Sequence, residues 1–187
     1  TGATKIAVGT RHSCAAVGGG AVSCWGMGNA GQMGNGGSTG STVPVAASGL
    51  TGVTALTAGG YHSCVLLGGG TAKCWGSNFD GQIGNGTTTT ATSPTTVSGV
   101  SGATAISGGS GHTCAAFPTG AKCWGENTSL QLGDGTSTNR KSPTNVLTLT
   151  SATGLSTASL HSCAISNNKV YCWGANDDGQ VGDGTTT

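Results

Sequence analysis

One phrase recurs four times along the chain: a His, a Ser or Thr, a Cys, and nine or ten residues later a second Cys followed by Trp-Gly. The four copies begin at His12, His62, His112 and His161. They contain every cysteine and every histidine of the 187 residues. A constant period near 50 residues indicates a repeat architecture with one supersecondary unit per period. The chain is therefore expected to form one domain, 1–187, with approximate repeats 1–49, 50–99, 100–149 and 150–187.

Each repeat is predicted to consist of short β-strands. An alternating segment precedes each histidine, two cysteine-bearing strands follow, and a proline-led segment, such as "SPTTV" at 93–97, comes last. Helical periodicity is absent, and proline at the first position is typical of an edge strand. Four short strands per period predict an all-β fold, a β-propeller of four-stranded antiparallel blades. The last blade is expected to lack its outer strand, because the sequence stops before a fourth proline-led segment.

The cysteine spacing follows from the register of a hairpin. In the fourth copy Asn167-Asn168 suits a two-residue type I′ turn, because Asn tolerates positive φ. Counting outward from this turn pairs Cys163 with Cys172 at a non-hydrogen-bonded position, where Cα atoms lie about 4.5 Å apart. In the first two copies the loop is Gly-Gly-Gly and the cysteine spacing is one residue longer, so the register is kept.

These counts predict one disulfide within each blade. The predicted pairs are Cys14–Cys24, Cys64–Cys74, Cys114–Cys123 and Cys163–Cys172. Zinc is the rival interpretation, because each copy offers one His and two Cys, but the usual zinc spacings are missing. Free thiols are the third alternative. Disulfides imply an oxidising compartment, so we expect the protein to be extracellular or at the cell surface.

Histidine and tryptophan recur in constant phase, and each has two interpretations. The histidines either form a ring of metal-binding or pH-sensing imidazoles around the propeller axis or bind backbone at the bend after the inner strand. The tryptophans either stack on sugars or pack between blades. We favour the structural role for both sets: His12, His62, His112, His161, Trp25, Trp75, Trp124 and Trp173.

Other motifs give weaker signals. The loop "NDDGQVGDG" at 176–184 resembles a calcium site, but its EF-hand spacing fails, so turn chemistry is the better interpretation. Asn85 and Asn127 begin N-x-Ser/Thr sequons, which matter in a glycosylating host. The acidic residues are scattered, with no paired carboxylates at a recurring position and no G-x-S-x-G motif. We therefore predict no catalytic residues, no metal site and no cofactor.

Composition excludes two classes of partner. Charged residues make up 7% of the chain, against roughly 25% in an ordinary soluble domain. The net charge is +1, so the basic face of a nucleic-acid-binding protein is missing. No apolar run approaches the roughly 18 residues that suggest a membrane span. The chain is expected to bind neither nucleic acid nor the membrane interior.

The ordered set "G…HSC", "CWG", "N…GQ.GNGT" and "P..V" resembles the repeat of the regulator of chromosome condensation family. The resemblance extends over essentially the whole chain and implies a propeller, usually of seven blades. The cysteine pairs are similar to those of secreted or surface-exposed bacterial members. Family roles include nucleotide exchange on a small GTPase, chromatin binding and inhibition of β-lactamase. The first two roles fit poorly with disulfides and with the missing basic patch.

Together these features predict a non-enzymatic extracellular module that recognises a protein or a glycan through propeller loops. One alternative is a structural subunit of a surface assembly or filament, completed by strand exchange. A second alternative is a secreted inhibitor of an extracellular enzyme. Seven blades need more repeats than this sequence holds, so we expect either further blades in a longer chain or a ring completed by other copies.

Overall fold

The computed structural model describes residues 2–187 as four antiparallel sheets that lie side by side. Blade 1 contains β1 (Ala3–Val8), β2 (His12–Val17), β3 (Val22–Gly26) and β4 (Ser41–Ala46). Blade 2 contains β5 (Val53–Ala58), β6 (His62–Leu67), β7 (Ala72–Gly76) and β8 (Ala91–Thr96). Blade 3 contains β9 (Ala105–Gly108), β10 (His112–Phe117), β11 (Gly120–Gly125) and β12 (Arg140–Asn145). Blade 4 contains β13 (Gly154–Thr157), β14 (His161–Ser166) and β15 (Lys169–Gly174).

Each sheet is a simple meander whose first strand is innermost. The strand order is β1-β2-β3-β4 in blade 1, and the other blades follow the same order. The inner strands β1, β5, β9 and β13 contact one another in sequence, which arranges the blades around a common axis. The predicted all-β propeller fold, with three strands in the last blade, is confirmed. Within the described part of the chain, no helix is long and apolar enough to cross a membrane.

The hairpin register is as the sequence predicts. In blade 4 Ser166 pairs with Lys169 and Cys163 pairs with Cys172, and the turn residues Asn167 and Asn168 have φ of 51° and 60°. All four predicted disulfides are present, each with a Cα–Cα distance of 4.1 Å. Turn chemistry therefore sets the register, and the register places the two sulfurs opposite each other.

The outer strands differ from the prediction at their start. Each strand begins three residues before its proline, so that Pro44, Pro94 and Pro143 lie inside β4, β8 and β12 rather than at their first position. The pairing between β3 and β4 is irregular between Cys24 and Gly26. Proline is tolerated inside a strand at an edge or a bulge, because its missing N–H leaves no ladder bond unmade.

The apolar core lies between blades rather than within them. One cluster joins blades 1 and 2 and includes Met33, Val65 and Trp75. A second joins blades 2 and 3 around Ile83 and Trp124. A third joins blades 3 and 4 around residues of both sheets, with Trp173 packed against it. A blade therefore buries its two faces by contact with its neighbours, as expected for stacked repeats.

Candidate functional site

The histidines form hydrogen bonds across the blade junctions. Nε2 of His12 lies 2.8 Å from Oγ of Ser63, and Nε2 of His62 lies 2.8 Å from Oγ1 of Thr113. His112 repeats the contact at 2.9 Å with Ser162. We expected a backbone partner at the bend, but the ring points across the junction. Its partner is the hydroxyl that follows the histidine of the next blade.

The tryptophans form hydrogen bonds across the same junctions, each to a backbone carbonyl of the preceding blade. Nε1 of Trp124 donates to the backbone carbonyl of Gln82 at 2.9 Å, and the hydroxyl of Thr113 donates to that carbonyl at 2.9 Å. Trp75 and Trp173 donate to the carbonyls of Gln32 and Gln131 in the same way. Each glutamine thus presents its carbonyl to the next blade.

The protonation of the junction histidines follows from these bonds. Because the Thr113 hydroxyl gives its proton to Gln82, its oxygen accepts from His62 Nε2–H. Nδ1 of His62 has no partner and is buried, and burial lowers the pKa of His62 to about 3. Burial likewise lowers the pKa of His12 and His112 to about 4. These three rings are neutral at neutral pH. Nε2 of His112 is a donor like that of His62, because the Ser162 hydroxyl donates to the carbonyl of Gln131.

The rings are also closely packed. A Cβ on Gly59 would lie 2.2 Å from Cε1 of His62 and 2.3 Å from the carbonyl oxygen of Gly109 in the next blade. Gly9 and Gly109 confine His12 and His112 in the same way. Within residues 2–187, no three His, Cys, Asp or Glu side chains are grouped so that they could hold a metal ion. The arrangement therefore favours blade packing over ligand binding.

The calcium-like loop at 176–184 is organised by its own side chains. Oδ1 of Asp183 accepts from the backbone N–H and the hydroxyl of Thr185, at 2.9 and 2.7 Å. The hydrogen bond from the Thr185 hydroxyl is the main cause that lowers the pKa of Asp183. Nδ2 of Asn176 donates to the Thr185 carbonyl at 3.1 Å. The carboxylate therefore stabilises a turn, as the sequence predicts for this loop.

The same loop in blade 3 contains the sequon at Asn127. Asn127 is fully buried, and its Nδ2 donates to the carbonyls of Thr136 and Thr138 at 2.7 and 3.1 Å. A glycan on Nδ2 would break these bonds, so the folded blade disfavours the Asn127 sequon, which stays a prediction. Asn85 is half-buried, and its sequon stays a prediction.

One face of the propeller collects the turns after each inner strand and the loops after each second cysteine. Met27 N–H donates to the carbonyl of Arg11 at 2.8 Å, and Ser77 N–H donates to Tyr61 at 2.9 Å, so turn and loop lie together in each blade. We call this surface the loop face. It consists of residues 9–11 and 27–31 and the equivalent residues of the other three repeats.

Residues of the loop face vary from repeat to repeat, although the scaffold beneath them is constant. The residue before the histidine is in turn Arg11, Tyr61, Gly111 and Leu160. The residue three before the recurring glutamine is in turn Asn29, Phe79, Thr128 and Asp177. Phe79 is 76% exposed and Tyr61 is 40% exposed. Blade 2 therefore presents two aromatic rings to solvent in a chain that has few aromatic residues.

A shallow cavity of about 330 Å³ lies at the centre of the loop face, where the inner strands end. Its lining is made of glycines, small apolar residues and hydroxyl groups, among them Thr10, Ser110, Thr157 and Ser159. No titratable side chain lines it. The cavity offers hydrogen bonds and shape, and it lacks the acids and bases that proton transfer needs.

The sequence predicts that a partner binds through propeller loops, but it does not by itself say which loop residues are exposed. The signal is present in the four repeats themselves. Aligning them on the cysteines separates constant positions, which are mostly buried, from variable positions such as those of Tyr61 and Phe79, which are exposed.

Comparison with protein families identifies the repeat. Two models, both described as "Regulator of chromosome condensation (RCC1) repeat", match the chain. The first matches residues 3–32, 53–82 and 159–180. The second matches residues 19–66, 70–116 and 123–165. No curated protein sequence matches the chain significantly.

Several solved structures share the fold. Human WBSCR16 is 22% identical with a TM-score of 0.86, and the match covers 98% of this chain and 50% of that one. Prp20p from Saccharomyces cerevisiae is 22% identical with a TM-score of 0.82, over 98% and 48% of the two chains. The ectodomain of the Physcomitrella patens receptor kinase CR4 is 23% identical with a TM-score of 0.56, over 93% and 41%. The chain thus spans about half the length, or less, of these structures.

Proposed function

Since the chain belongs to the regulator of chromosome condensation (RCC1) repeat family, we propose that it is an extracellular binding module that recognises a partner protein through its loop face. The observation that carries this proposal is the exposure of Phe79 and Tyr61 among variable residues on a constant scaffold. Exposed aromatic side chains are typical anchors of protein interfaces, because they bury a large area at a low cost in entropy.

Two structures of one yeast protein support a binding role. The structure of Prp20p was described together with its binding to Gsp1p and histones, and a second structure contains Kap60 bound to the same protein, yeast RCC1 (Prp20). Those partners belong to that protein, and a shared fold does not transfer them. What the comparisons support is the use of this propeller as a protein-binding scaffold.

The extracellular location is supported by the disulfides. Four bonds join all eight cysteines, and such bonds persist in oxidising compartments. The similarity to a receptor-kinase ectodomain shows that a related fold occurs outside the cell. The net charge of +1 provides no electrostatic attraction for a nucleic acid or an acidic partner. We therefore propose a neutral, contact-driven interface.

The proposal is tested by immobilising the chain and measuring which proteins it retains from the extracellular fraction of the source organism. Three baits are compared: the unchanged chain, Phe79→Ser, and Val43→Ser. Val43 is a matched control because it is apolar and 61% exposed but lies on the outer strand β4. We expect at least one protein to be retained by the unchanged and Val43→Ser baits and to fall about tenfold with Phe79→Ser, as for an interface anchor.

Equal retention of every protein by all three baits would contradict the use of the loop face. A glycan array, probed with the same three baits, separates the two partner classes. Binding to glycans that Phe79→Ser abolishes, with no protein retained, would replace the protein partner by a glycan.

A further inference from the structure

The end of the propeller opposite the loop face carries lysines and no acidic residue in the described chain. We call this end the hairpin face; it consists of the turns between the second and third strands and the linkers between blades, such as 118–119 and 98–102. Four strands that start there have a lysine among their first three residues: Lys5, Lys73, Lys122 and Lys169. All six acidic residues lie in the loops that follow the second cysteine of a repeat, at the loop-face end: Asp80, Glu126, Asp134, Asp177, Asp178 and Asp183.

One of these lysines lies at a cavity between blades 2 and 3. The cavity has a volume of about 230 Å³, and Lys122 lines it together with Ser101, Thr119 and Asn145. These residues contribute an ammonium group, two hydroxyls and a carboxamide. The volume is below the roughly 300–1,000 Å³ of pockets for drug-sized ligands, so the cavity suits a ligand the size of a single sugar ring.

The ammonium group of Lys122 is held in place but is not neutralised. Nζ lies 5.6 Å from the centroid of the Phe117 ring, within the range of a cation–π contact. It donates to the carbonyl of Gly99 at 3.4 Å. Within residues 2–187 the one ion pair joins Arg140 to Asp134, so Lys122 has no carboxylate partner there. An ammonium group has three N–H donors, and two of them remain for a ligand.

The combination of groups at this cavity belongs to blade 3 and is not required by the fold. In blade 2 Lys73 occupies the register position of Lys122, but its cross-strand partner is Thr96 where blade 3 has Asn145. Strand β6 ends in Leu67, whereas β10 ends in Phe117. The scaffold is therefore the same in both blades, and only blade 3 adds the aromatic support and the amide.

We propose that this cavity binds a single acidic sugar, a ring that carries a carboxylate or a sulfate group. The anion pairs with Nζ of Lys122 through charge-assisted hydrogen bonds. The hydroxyls of the sugar exchange hydrogen bonds with Ser101, Thr119 and Asn145. The attraction is local, because the net charge of the whole chain is only +1. This inference is independent of the proposed function, which uses the loop face.

The lining favours a sugar over a nucleic acid. Proteins that bind single strands combine a positively charged groove with aromatic faces on which bases stack. This cavity has one ammonium group, and the one aromatic residue of its lining, Phe117, is 8% exposed and lies beneath Lys122. Hydroxyl and amide groups outnumber the charge, as a ligand rich in hydroxyls requires.

An NMR titration of the oxidised chain tests the proposal with three related sugars: glucuronic acid, glucose 6-sulfate and glucose. The backbone amides of Gly99, Ser101 and Lys122 are expected to shift with at least one of the two acids and to stay unchanged with glucose. The acid with the larger response identifies the anion as a carboxylate or a sulfate. No shift with either acid, or equal shifts with glucose, would overturn the proposal. Stronger binding of a thymidine oligonucleotide at the same amides would also overturn it, in favour of a nucleic acid.

Two variants separate the charge from the cavity. Lys122→Gln removes the charge and is expected to weaken binding of the acidic sugar about tenfold, as for the loss of a hydrogen bond to a charged group. Ser101→Trp keeps the charge but fills the cavity, and it is expected to abolish binding. The dispersion of the amide signals checks that each variant is folded.

Two other lysines provide matched controls. Lys73→Gln changes the same register position on the same face, without the cavity. Lys141→Gln changes an exposed lysine of blade 3 at the loop-face end of β12. Both are expected to bind the sugar like the unchanged chain. Unchanged affinity in Lys122→Gln, or an equal loss in Lys73→Gln, would overturn the site at this cavity.

Discussion

Blade 2 and blade 4 contain the same His, Cys and Trp motif, but they bury it to different extents. In blade 2 His62 and Cys64 are fully buried, whereas in blade 4 His161 and Cys163 are in part exposed. The hairpin register is the same in both blades. The difference teaches that the hairpin and its disulfide are properties of one repeat, whereas burial is supplied by the neighbouring repeat.

One position of the repeat differs between blade 4 and the other blades in line with this difference in burial. The glycine three residues before each histidine is Gly9, Gly59 and Gly109 in the first three repeats, but it is Ala158 in the fourth. At Gly59 a Cβ has no room between the His62 ring and the carbonyl of Gly109. Within the described chain Ala158 has no following blade, so its methyl group is exposed. Glycine is needed where a ring is held between two blades.

The largest difference in unfolding free energy is expected between two tryptophan variants, one at a position buried by the neighbouring blade and one at a position that is not. Trp124→Ala removes a fully buried indole and its bond to Gln82, and it should cost about 3–5 kcal/mol of unfolding free energy. Trp25→Ala should cost less than half as much, because Trp25 is half-buried and no blade precedes it in the described chain. Urea unfolding of the two variants measures both losses of unfolding free energy. Equal losses would contradict burial by the neighbour.

The disulfides should differ in the rate at which they are reduced. Removing either pair by Cys→Ala should cost about 2–3 kcal/mol, because the loops are of similar length. Cys163 and Cys172 are in part exposed, however, while Cys64 and Cys74 are fully buried. Graded reduction followed by alkylation and peptide mass mapping should therefore label the blade 4 pair first. Earlier labelling of the blade 2 pair would reverse the order that we infer.

Exchanging glycine and alanine should lower the stability in blade 2 and leave it nearly unchanged in blade 4. Gly59→Ala forces a methyl group against His62 and should cost about 1–3 kcal/mol. Ala158→Gly changes an exposed residue and should stay within about 0.5 kcal/mol. Thermal unfolding of the two variants checks both values. A tolerated Gly59→Ala would show that the ring is not confined.

Acid should weaken the covered junctions. His12, His62 and His112 have folded pKa values of about 3 to 4, below the ordinary histidine pKa of 6.5, so the unfolded chain binds more protons between these limits. Stability should therefore fall as the pH drops below about 6.5 and level off below the folded pKa values, with about 1 kcal/mol lost per histidine at pH 5.5. Urea unfolding of the unchanged chain and His62→Gln over this range tests the sign. The variant should lose about a third of the pH dependence, and an unchanged slope would contradict a neutral, buried His62.

The hairpins were predictable because their information is local. Asn167-Asn168 specifies its turn, and the extra loop glycine of the first two repeats is matched by one extra residue between the cysteines. The start of the outer strands was less predictable, since proline marks an edge but does not say where the pairing begins. Pro44 lies inside β4 because irregular pairing accommodates it there.

The junctions could not be predicted in the same way, because each bond joins residues about one repeat apart. The hydroxyl after every histidine, in Ser63 and Thr113 for example, was the available signal, but its partner depends on how blades stack. Asn127 depends on the fold in the same way: its amide donates to the loop carbonyls of Thr136 and Thr138, which the sequon alone does not reveal. In both cases the contacts between segments decide the role.

Native-state hydrogen exchange tests the central claim, that neighbouring blades rather than single hairpins supply stability, most directly. Protection is read at β6 and β10 for the covered blades and at β14 for blade 4. The account predicts that β6 and β10 exchange through openings of the highest free energy, and that β14 opens more easily although it carries the same disulfide. Equal protection in β14 and β6 would contradict it.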